Sequence, residues 1–148
     1  MRRHSSLIPL SHEHQHGLAL CTLTERALNA DPSAENVSAQ AARIVEQFEL
    51  ELRRHFHTEE QIVFPVLSGF TVLQDLVSEF IEEHRRMNAV VERLRKEKEE
   101  ALVREFAAVL RGHIRKEESR LFEAAQELLS EQELERLGDA IRRHLHLL

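Results

Sequence analysis

The chain has 148 residues, 42% of them hydrophobic, with only four glycines and three prolines. This composition is typical of a single helical domain spanning residues 1–148 and argues against disorder. The formal net charge is −6 and no basic block is present, which argues against nucleic acid as a partner.

Helical patterns follow one another along the chain, and no strand-like alternation interrupts them. The predicted helices lie at about 11–30, with Ser11 as N-cap, and at about 35–66, 71–95, 100–129 and 131–146. Ser130 and Glu133 have the spacing of a capping box at the start of the last helix. We therefore predict an all-α fold, an antiparallel up-down-up-down four-helix bundle over about 11–129 with a short C-terminal fifth helix.

The long helices carry apolar seams that are interrupted by histidine and glutamate. The predicted seams are Phe48, Leu52, His55, Glu59, Ile62 and Val66 in the second helix, Leu73, Val77, Phe80, His84, Met87, Val91 and Leu94 in the third, and Phe106, Leu110, His113, Glu117, Leu121, Ala124 and Leu128 in the fourth. In the first helix His14 and His16 lie on different stripes. We favour His14, because its Glu-His context matches that of His84. A carboxylate in such a seam needs a cationic partner.

One ten-residue pattern, H-[FI]-x-x-E-E-x-x-[VL]-F, occurs at 55–64 and again at 113–122. A Glu-His pair precedes each copy, at 13–14 and at 83–84. A histidine and a glutamate four residues apart project from one helix face, and at ~1.5 Å per residue the four histidine positions agree in depth within roughly one turn. The candidate metal ligands are His14, His55, Glu59, His84, His113 and Glu117.

These six side chains predict a dinuclear site. If Glu59 and Glu117 both bridge, each metal receives two nitrogens and two oxygens, and a bridging oxo or hydroxo group leaves one open position per metal. Mixed imidazole and carboxylate ligation suits iron, with manganese or zinc as alternatives. Open positions on a redox metal indicate small-molecule chemistry rather than a closed structural site.

The chain resembles the hemerythrin-like (HHE cation-binding) family over nearly its whole length. The resemblance rests on L-S-x-E-H at 10–14, H-F-x-x-E-E-x-x-x-F-P at 55–65, E-H at 83–84 and H-I-x-x-E-E-x-x-L-F at 113–122. It implies an antiparallel four-helix bundle with a non-haem di-iron centre, and it assigns ligand roles to the same six residues. Oxygen-carrying members have a further histidine where this chain has Asn88, which favours sensing or redox chemistry over simple oxygen transport.

Three functions remain open at this point. The first is a di-iron protein that binds or senses O2, NO or peroxide. The second is an enzyme with peroxidase- or oxidase-like activity at the same centre. The third is an iron or zinc buffer, or a bundle whose metal serves only folding. The sequence leaves the oligomeric state open, since the last helix could pack on its own bundle or on a second subunit.

Several other residues near the motifs are not among the six candidate ligands. We expect His12, His16 and His57 to be surface histidines, although His12 or His16 could supplement or replace His14. We expect Glu60 and Glu118 to be solvated, although they could accept hydrogen bonds from groups around the ligands. Glu13 and Glu83 are interpreted as either surface residues or partners of the ligands, and His144 and His146 as a basic helix end that suits the helix dipole.

The expected location is the cytoplasm. Cys21 is the single cysteine, which rules out an intramolecular disulfide and is typical of a reducing compartment. The first nine residues lack an apolar run of signal-peptide length, and no stretch approaches the length of a membrane span.

Overall fold

The computed structural model describes residues 1–146, and in that range every regular element is a helix. In chain order they are α1 (Ile8–Ala30), α2 (Ala34–Gln47), α3 (Arg53–Thr58), α4 (Phe64–Leu67), α5 (Gln74–Leu94), α6 (Glu100–Lys116), α7 (Phe122–Leu128) and α8 (Glu131–His144). The all-α prediction is confirmed.

Three π-helical turns and one 3₁₀ turn link some of these helices. The π turns are Phe48–Leu52, Glu59–Val63 and Glu117–Leu121, and the 3₁₀ turn is Thr71–Leu73. The described backbone is therefore organised as four long arms: arm 1 is α1, arm 2 runs from α2 to α4, arm 3 is the 3₁₀ turn with α5, and arm 4 is α6 with α7. The arms correspond to the four long helices predicted from the sequence.

The arms pack as expected of a helical bundle. Helix α6 contacts α1, α2 and α5, and α2 contacts α1 and α5. Gly17 lies where α1 meets α6, and a Cβ there would approach the Ile114 side chain to 2.8 Å. Two apolar clusters fill the interior, one around Phe48 and Phe106 and the other around Phe64 and Phe122. Among the described helices none is long and apolar enough to cross a membrane.

The first helix begins earlier than predicted. Helix α1 starts at Ile8 with Pro9 in its first turn, where the ring's fixed φ suits a helix start. Ser11 is therefore not the N-cap. It lies inside α1, and its hydroxyl donates a hydrogen bond to Glu118 Oε2 at 2.8 Å.

Two predicted seams were wrong at their C-terminal ends, and both errors have the same cause. After Glu59 the predicted seam positions are replaced by the buried residues Val63 and Leu67, whereas Val66 is 41% exposed. The π turn that begins at Glu59 closes with a hydrogen bond from the Phe64 N–H to the Glu59 carbonyl, one residue longer than an α-helical turn. The seam therefore moves forward by one residue.

Arm 4 shows the same one-residue shift. The Phe122 N–H donates to the Glu117 carbonyl, so a π turn also begins at the first glutamate of the second copy of the ten-residue pattern. Beyond Leu121 the seam continues through the buried residues Ala125 and Leu129, in place of the predicted Ala124 and Leu128. The seam predicted for arm 3, which contains no π turn, is buried throughout.

Helix α8 packs on its own chain. Ser130 and Glu133 form the predicted capping box, and the buried face of α8 includes Leu134, Leu137 and Ile141, which join the apolar cluster around Phe64. The helix contacts the π turn that begins at Glu59. The C-terminal helix therefore covers the back of the segment that presents one of the candidate ligands.

Candidate metal centre

All six candidate ligands meet in the interior of the bundle. Each has at most 2% of its surface exposed, and they belong to all four arms: His14, His55, Glu59, His84, His113 and Glu117. In each arm they lie where the segment of one apolar cluster meets the segment of the other. The bundle therefore contains one polar layer between two apolar ones, as the matching depths of the histidines predicted.

The four histidines form two close pairs. His14 Nε2 lies 3.0 Å from His55 Nε2, and His84 Nε2 lies 3.2 Å from His113 Nε2. The first pair comes from arms 1 and 2, and the second from arms 3 and 4. Each pair thus directs two nitrogens toward one point.

The two glutamates connect these pairs. Glu59 places Oε2 at 3.4 Å from His55 Nε2 and Oε1 at 3.1 Å from His84 Nε2. Each of its oxygens therefore belongs to a different histidine pair.

Glu117 does the same from arm 4. Its Oε1 lies 3.0 Å from His14 Nε2 and its Oε2 lies 2.9 Å from His113 Nε2. The result is two overlapping groups of two histidines and two glutamates that share both carboxylates and could each hold a metal ion.

Four further carboxylates hold the other ring nitrogens. The Nδ1 contacts are Glu13 Oε1 to His55 at 2.8 Å, Glu60 Oε2 to His84 at 2.6 Å, Glu83 Oε1 to His113 at 2.8 Å and Glu118 Oε2 to His14 at 2.6 Å. We call these four the carboxylate ring. An ionised carboxylate only accepts hydrogen bonds, so each Nδ1 carries the proton and each Nε2 presents its lone pair to the interior.

The carboxylate ring corrects the sequence interpretation of Glu60 and Glu118 as solvated residues. Glu60 follows Glu59 by one residue, which turns its side chain by ~100° around the helix axis toward arm 3. Glu118 follows Glu117 in the same way and reaches arm 1. The E-E and E-H pairs in the sequence mark these glutamates. The sequence alone does not show whether their side chains face the next arm or the solvent.

Phenylalanine rings cover the imidazoles. Phe56 stacks on His84 with centroids 4.1 Å apart, and Phe122 stacks on His14 at 5.5 Å. Phe64, which occupies the place of Phe122 in the first copy of the motif, stacks on His84 at 5.6 Å. These rings exclude water and restrict rotation of the imidazoles.

Ionisation in the polar layer is strongly perturbed. Burial and the nearby negative charge of Glu117 raise the pKa of Glu59 well above its ordinary value. Burial alone would also raise the pKa of Glu117, but the charge of His113 and hydrogen bonds within the layer lower it. For His14, burial lowers the pKa, yet hydrogen bonds to Glu117 and Glu118 outweigh it and raise the pKa overall. Without a metal, protons must supply the positive charge.

The donor set fits a pair of metal ions. Both oxygens of Glu59 and both oxygens of Glu117 are buried, and as long as the imidazoles are neutral with the proton on Nδ1, no described side chain donates a hydrogen bond to them. Two nitrogens bound at ~2.1 Å to one metal at a right angle lie ~3 Å apart, which matches the 3.0 and 3.2 Å separations of the histidine pairs. Facing lone pairs and unpartnered carboxylates are costly without a cation between them.

Comparison with known families agrees with this geometry. The model of the hemerythrin HHE cation binding domain matches residues 9–125. The chain belongs to this family. No curated protein and no solved structure matches it significantly. Family membership and the buried histidine and glutamate cluster together indicate a metal-binding domain.

The other histidines discussed above lie outside the polar layer. His12 and His57 are exposed, as expected. His16 is also exposed and bonds Glu51 at 3.0 Å, so it does not replace His14. His144 contacts Thr58 Oγ1 through Nδ1 at 2.6 Å.

Asn88 and Cys21 do not join the candidate ligands either. Asn88 stands where oxygen-carrying relatives have a further histidine, and its amide donates to the His84 carbonyl at 2.8 Å. Cys21 is a buried thiol within the apolar cluster around Phe48. Neither residue adds a donor to the two groups.

Proposed function

We propose that this protein is a non-haem di-iron protein that binds or senses a small oxidant, O2, NO or peroxide. The observation that carries the proposal is the pair of overlapping histidine and glutamate groups joined by Glu59 and Glu117. His14 with His55 would hold one iron, His84 with His113 the other, and the two carboxylates would bridge them.

The donor types favour iron over other metals. Imidazole suits iron, zinc and copper, while carboxylate suits harder ions such as manganese and magnesium, so the mixed set favours iron and leaves manganese or zinc as alternatives. Iron held by two nitrogens and two oxygens retains coordination positions for an exogenous ligand, and it supplies reversible electron exchange with that ligand.

The surroundings favour a small ligand. Each of the six donors is at most 2% exposed, and phenylalanine rings cover the imidazoles of His14 and His84. A bulky substrate has no room in this layer, whereas a diatomic molecule or peroxide needs little. The chain has no tyrosine or tryptophan, the usual carriers of a protein radical, so ligand binding is favoured over an oxidase mechanism that relies on one.

The position of Asn88 supports sensing rather than oxygen transport. Its side-chain amide is engaged by the His84 carbonyl and supplies no third nitrogen to the His84 and His113 pair. A metal with fewer protein donors has an open coordination position for a ligand that changes its oxidation state. A peroxidase-like enzyme is the second candidate, since the same open positions would admit peroxide.

The arrangement that we propose for the whole chain is a single domain over residues 1–148. The loops at 31–33 and 95–99 are short, which favours antiparallel neighbours and an up-down-up-down order of the four arms. The single buried thiol suits a reducing cytoplasm.

Metal content is the first test. Elemental mass spectrometry on untagged protein from iron-replete medium should give about two irons per chain. His113→Ala and Glu59→Ala should each lower this content sharply, because each removes a donor from the layer. His16→Ala is the matched control, since His16 also contacts a glutamate but lies on the surface. One zinc, no metal, or an unchanged content in the two variants would contradict the proposal.

Ligand binding is the second test. Addition of O2, NO or peroxide to the anaerobic ferrous protein should produce near-UV charge-transfer bands, which are easily seen because the chain lacks tryptophan and tyrosine. Repeated consumption of peroxide with a reductant would identify the enzymatic alternative. A spectrum unchanged by all three ligands would leave only a storage or structural role for the metal.

A further inference from the structure

A basic cleft lies between arm 2 and α8, outside the polar layer. It has a volume of about 670 Å³, and its walls are formed by Arg54, His57, Ile62, Ala140, Arg143, His144 and His146. Five of these seven residues are arginine or histidine, and none is acidic. The formal charge of the chain is −6, so a cleft without acidic residues does not follow from its composition.

The cationic groups of the cleft have spare hydrogen-bonding capacity. Arg54 uses one guanidinium nitrogen for Glu13 at 3.2 Å. The guanidinium group of Arg143 makes no hydrogen bond or ion pair within the described residues, and the residue is exposed. A guanidinium group offers five N–H donors in a planar fork that matches the oxygens of phosphate.

His144 is held in place at the floor of the cleft. The Thr58 hydroxyl donates to the Arg54 carbonyl at 2.8 Å, so it accepts from the Nδ1–H of His144 at 2.6 Å. This leaves Nε2 without a partner among the described residues. Partial burial and the positive charges of His57, His146 and Arg54 lower the pKa of His144, which places these groups within one electrostatic neighbourhood.

We propose that this cleft binds the phosphate group of a small phosphorylated molecule. Arg54 and Arg143 supply the charge and the paired donors, and the histidines supply further donors. Ile62 and Ala140, both partly buried, form an apolar wall for the rest of the molecule. The volume of about 670 Å³ lies within the range of ordinary small-molecule sites and exceeds the need of a bare phosphate ion.

The site is separate from the metal centre but close to it. Arg54 contacts Glu13, and Glu13 holds the Nδ1 of His55. Phosphate oxygens are also good ligands for iron, so the test must distinguish an occupant of the cleft from one on the metal.

Calorimetric titration of phenyl phosphate into the metal-loaded full chain tests the proposal. Arg143→Gln should weaken binding about tenfold, because a charge-assisted hydrogen bond at a partly exposed site is lost. The matched control is Arg85→Gln, which removes the same charge from an exposed arginine of α5 that pairs with Glu82. The control should bind as the wild type does.

A second comparison tests the apolar wall. Phenyl phosphate should bind more tightly than inorganic phosphate, and Ile62→Ala should reduce that preference. The proposal is overturned if the wild type binds neither probe, or if Arg143→Gln binds phenyl phosphate as tightly as Arg85→Gln does. It is also overturned if the metal-free protein no longer binds the probe while the metal-loaded Arg143→Gln, His146→Gln double variant still binds it. The last result would place phosphate on the metal.

Discussion

Removing single members of the carboxylate ring should weaken metal binding in an order set by burial. The exposed fraction of the side chain is 10% for Glu13, 21% for Glu83, 26% for Glu118 and 36% for Glu60. A partner that orients a ligand histidine is typically worth 10- to 100-fold in metal affinity, or about 1.4 to 2.7 kcal/mol. Glu13→Ala should therefore lie near the upper end and Glu60→Ala near the lower end, because solvent screens the Glu60 link more.

Competition with a chromophoric chelator measures the apparent affinity of each variant. Glu13→Gln should lose less than Glu13→Ala, because the amide oxygen still accepts from the His55 Nδ1–H. Glu51→Ala is the matched control, since Glu51 holds His16 by the same kind of contact at 3.0 Å, away from the metal. The reasoning is refuted if Glu13→Ala and Glu51→Ala have the same affinity as the wild type, or if the effects run opposite to burial.

Three further predictions concern packing, the thiol and pH. Gly112→Ala should raise the free energy of unfolding by about 0.5 to 1 kcal/mol, because alanine favours a helix and an added Cβ meets nothing within 4 Å. Gly138→Ala should lower the free energy of unfolding, because its Cβ would lie 2.8 Å from the Ser6 backbone. Denaturant melts of the two variants compare these effects. Burial raises the pKa of Cys21 to about 11, so iodoacetamide should leave the folded protein unmodified at pH 8 and modify it once unfolded, as intact-mass measurement would show. Without metal, burial lowers the pKa of His14, His84 and His113, but hydrogen bonds and charges from glutamates outweigh burial and raise it. These histidines therefore stabilise the metal-free protein fully below the ordinary histidine pKa of ~6.5, and that stabilisation is lost as pH rises. Thermal melts with and without metal should therefore differ more at pH 8 than at pH 6, and a gap that shrinks with rising pH would contradict this.

The sequence was sufficient for the helices and for the convergence of the six candidate ligands, because both follow from helical periodicity. His14 and His84 share a Glu-His context, and the spacing of His55 to Glu59 puts both side chains on one face. Periodicity failed just beyond Glu59 and beyond Glu117, where a π turn adds a residue. Both turns begin at the first glutamate of a copy of the ten-residue pattern, but helical periodicity alone does not reveal them.

The carboxylate ring could not be predicted from the sequence, for a different reason. Each of its links joins two arms, so predicting it requires the rotation of one helix relative to the next. Glu60 and the exposed Gln61 are both polar neighbours of a ligand, and composition cannot distinguish them. Only the packed arms show that Glu60 faces His84 while Gln61 faces solvent.

The internal repeat accounts for the two overlapping groups of candidate ligands in this bundle. Arms 1 and 2 contain one Glu-His pair and one copy of the ten-residue motif, and arms 3 and 4 contain the other set. Each half supplies a complete histidine pair, but each of the two groups needs a glutamate from the other half as well as its own. Two carboxylate-ring links lie within the halves, from Glu13 and Glu83, and two cross between them, from Glu60 and Glu118. Neither half can complete its site alone, so metal binding and the docking of the two halves stabilise each other.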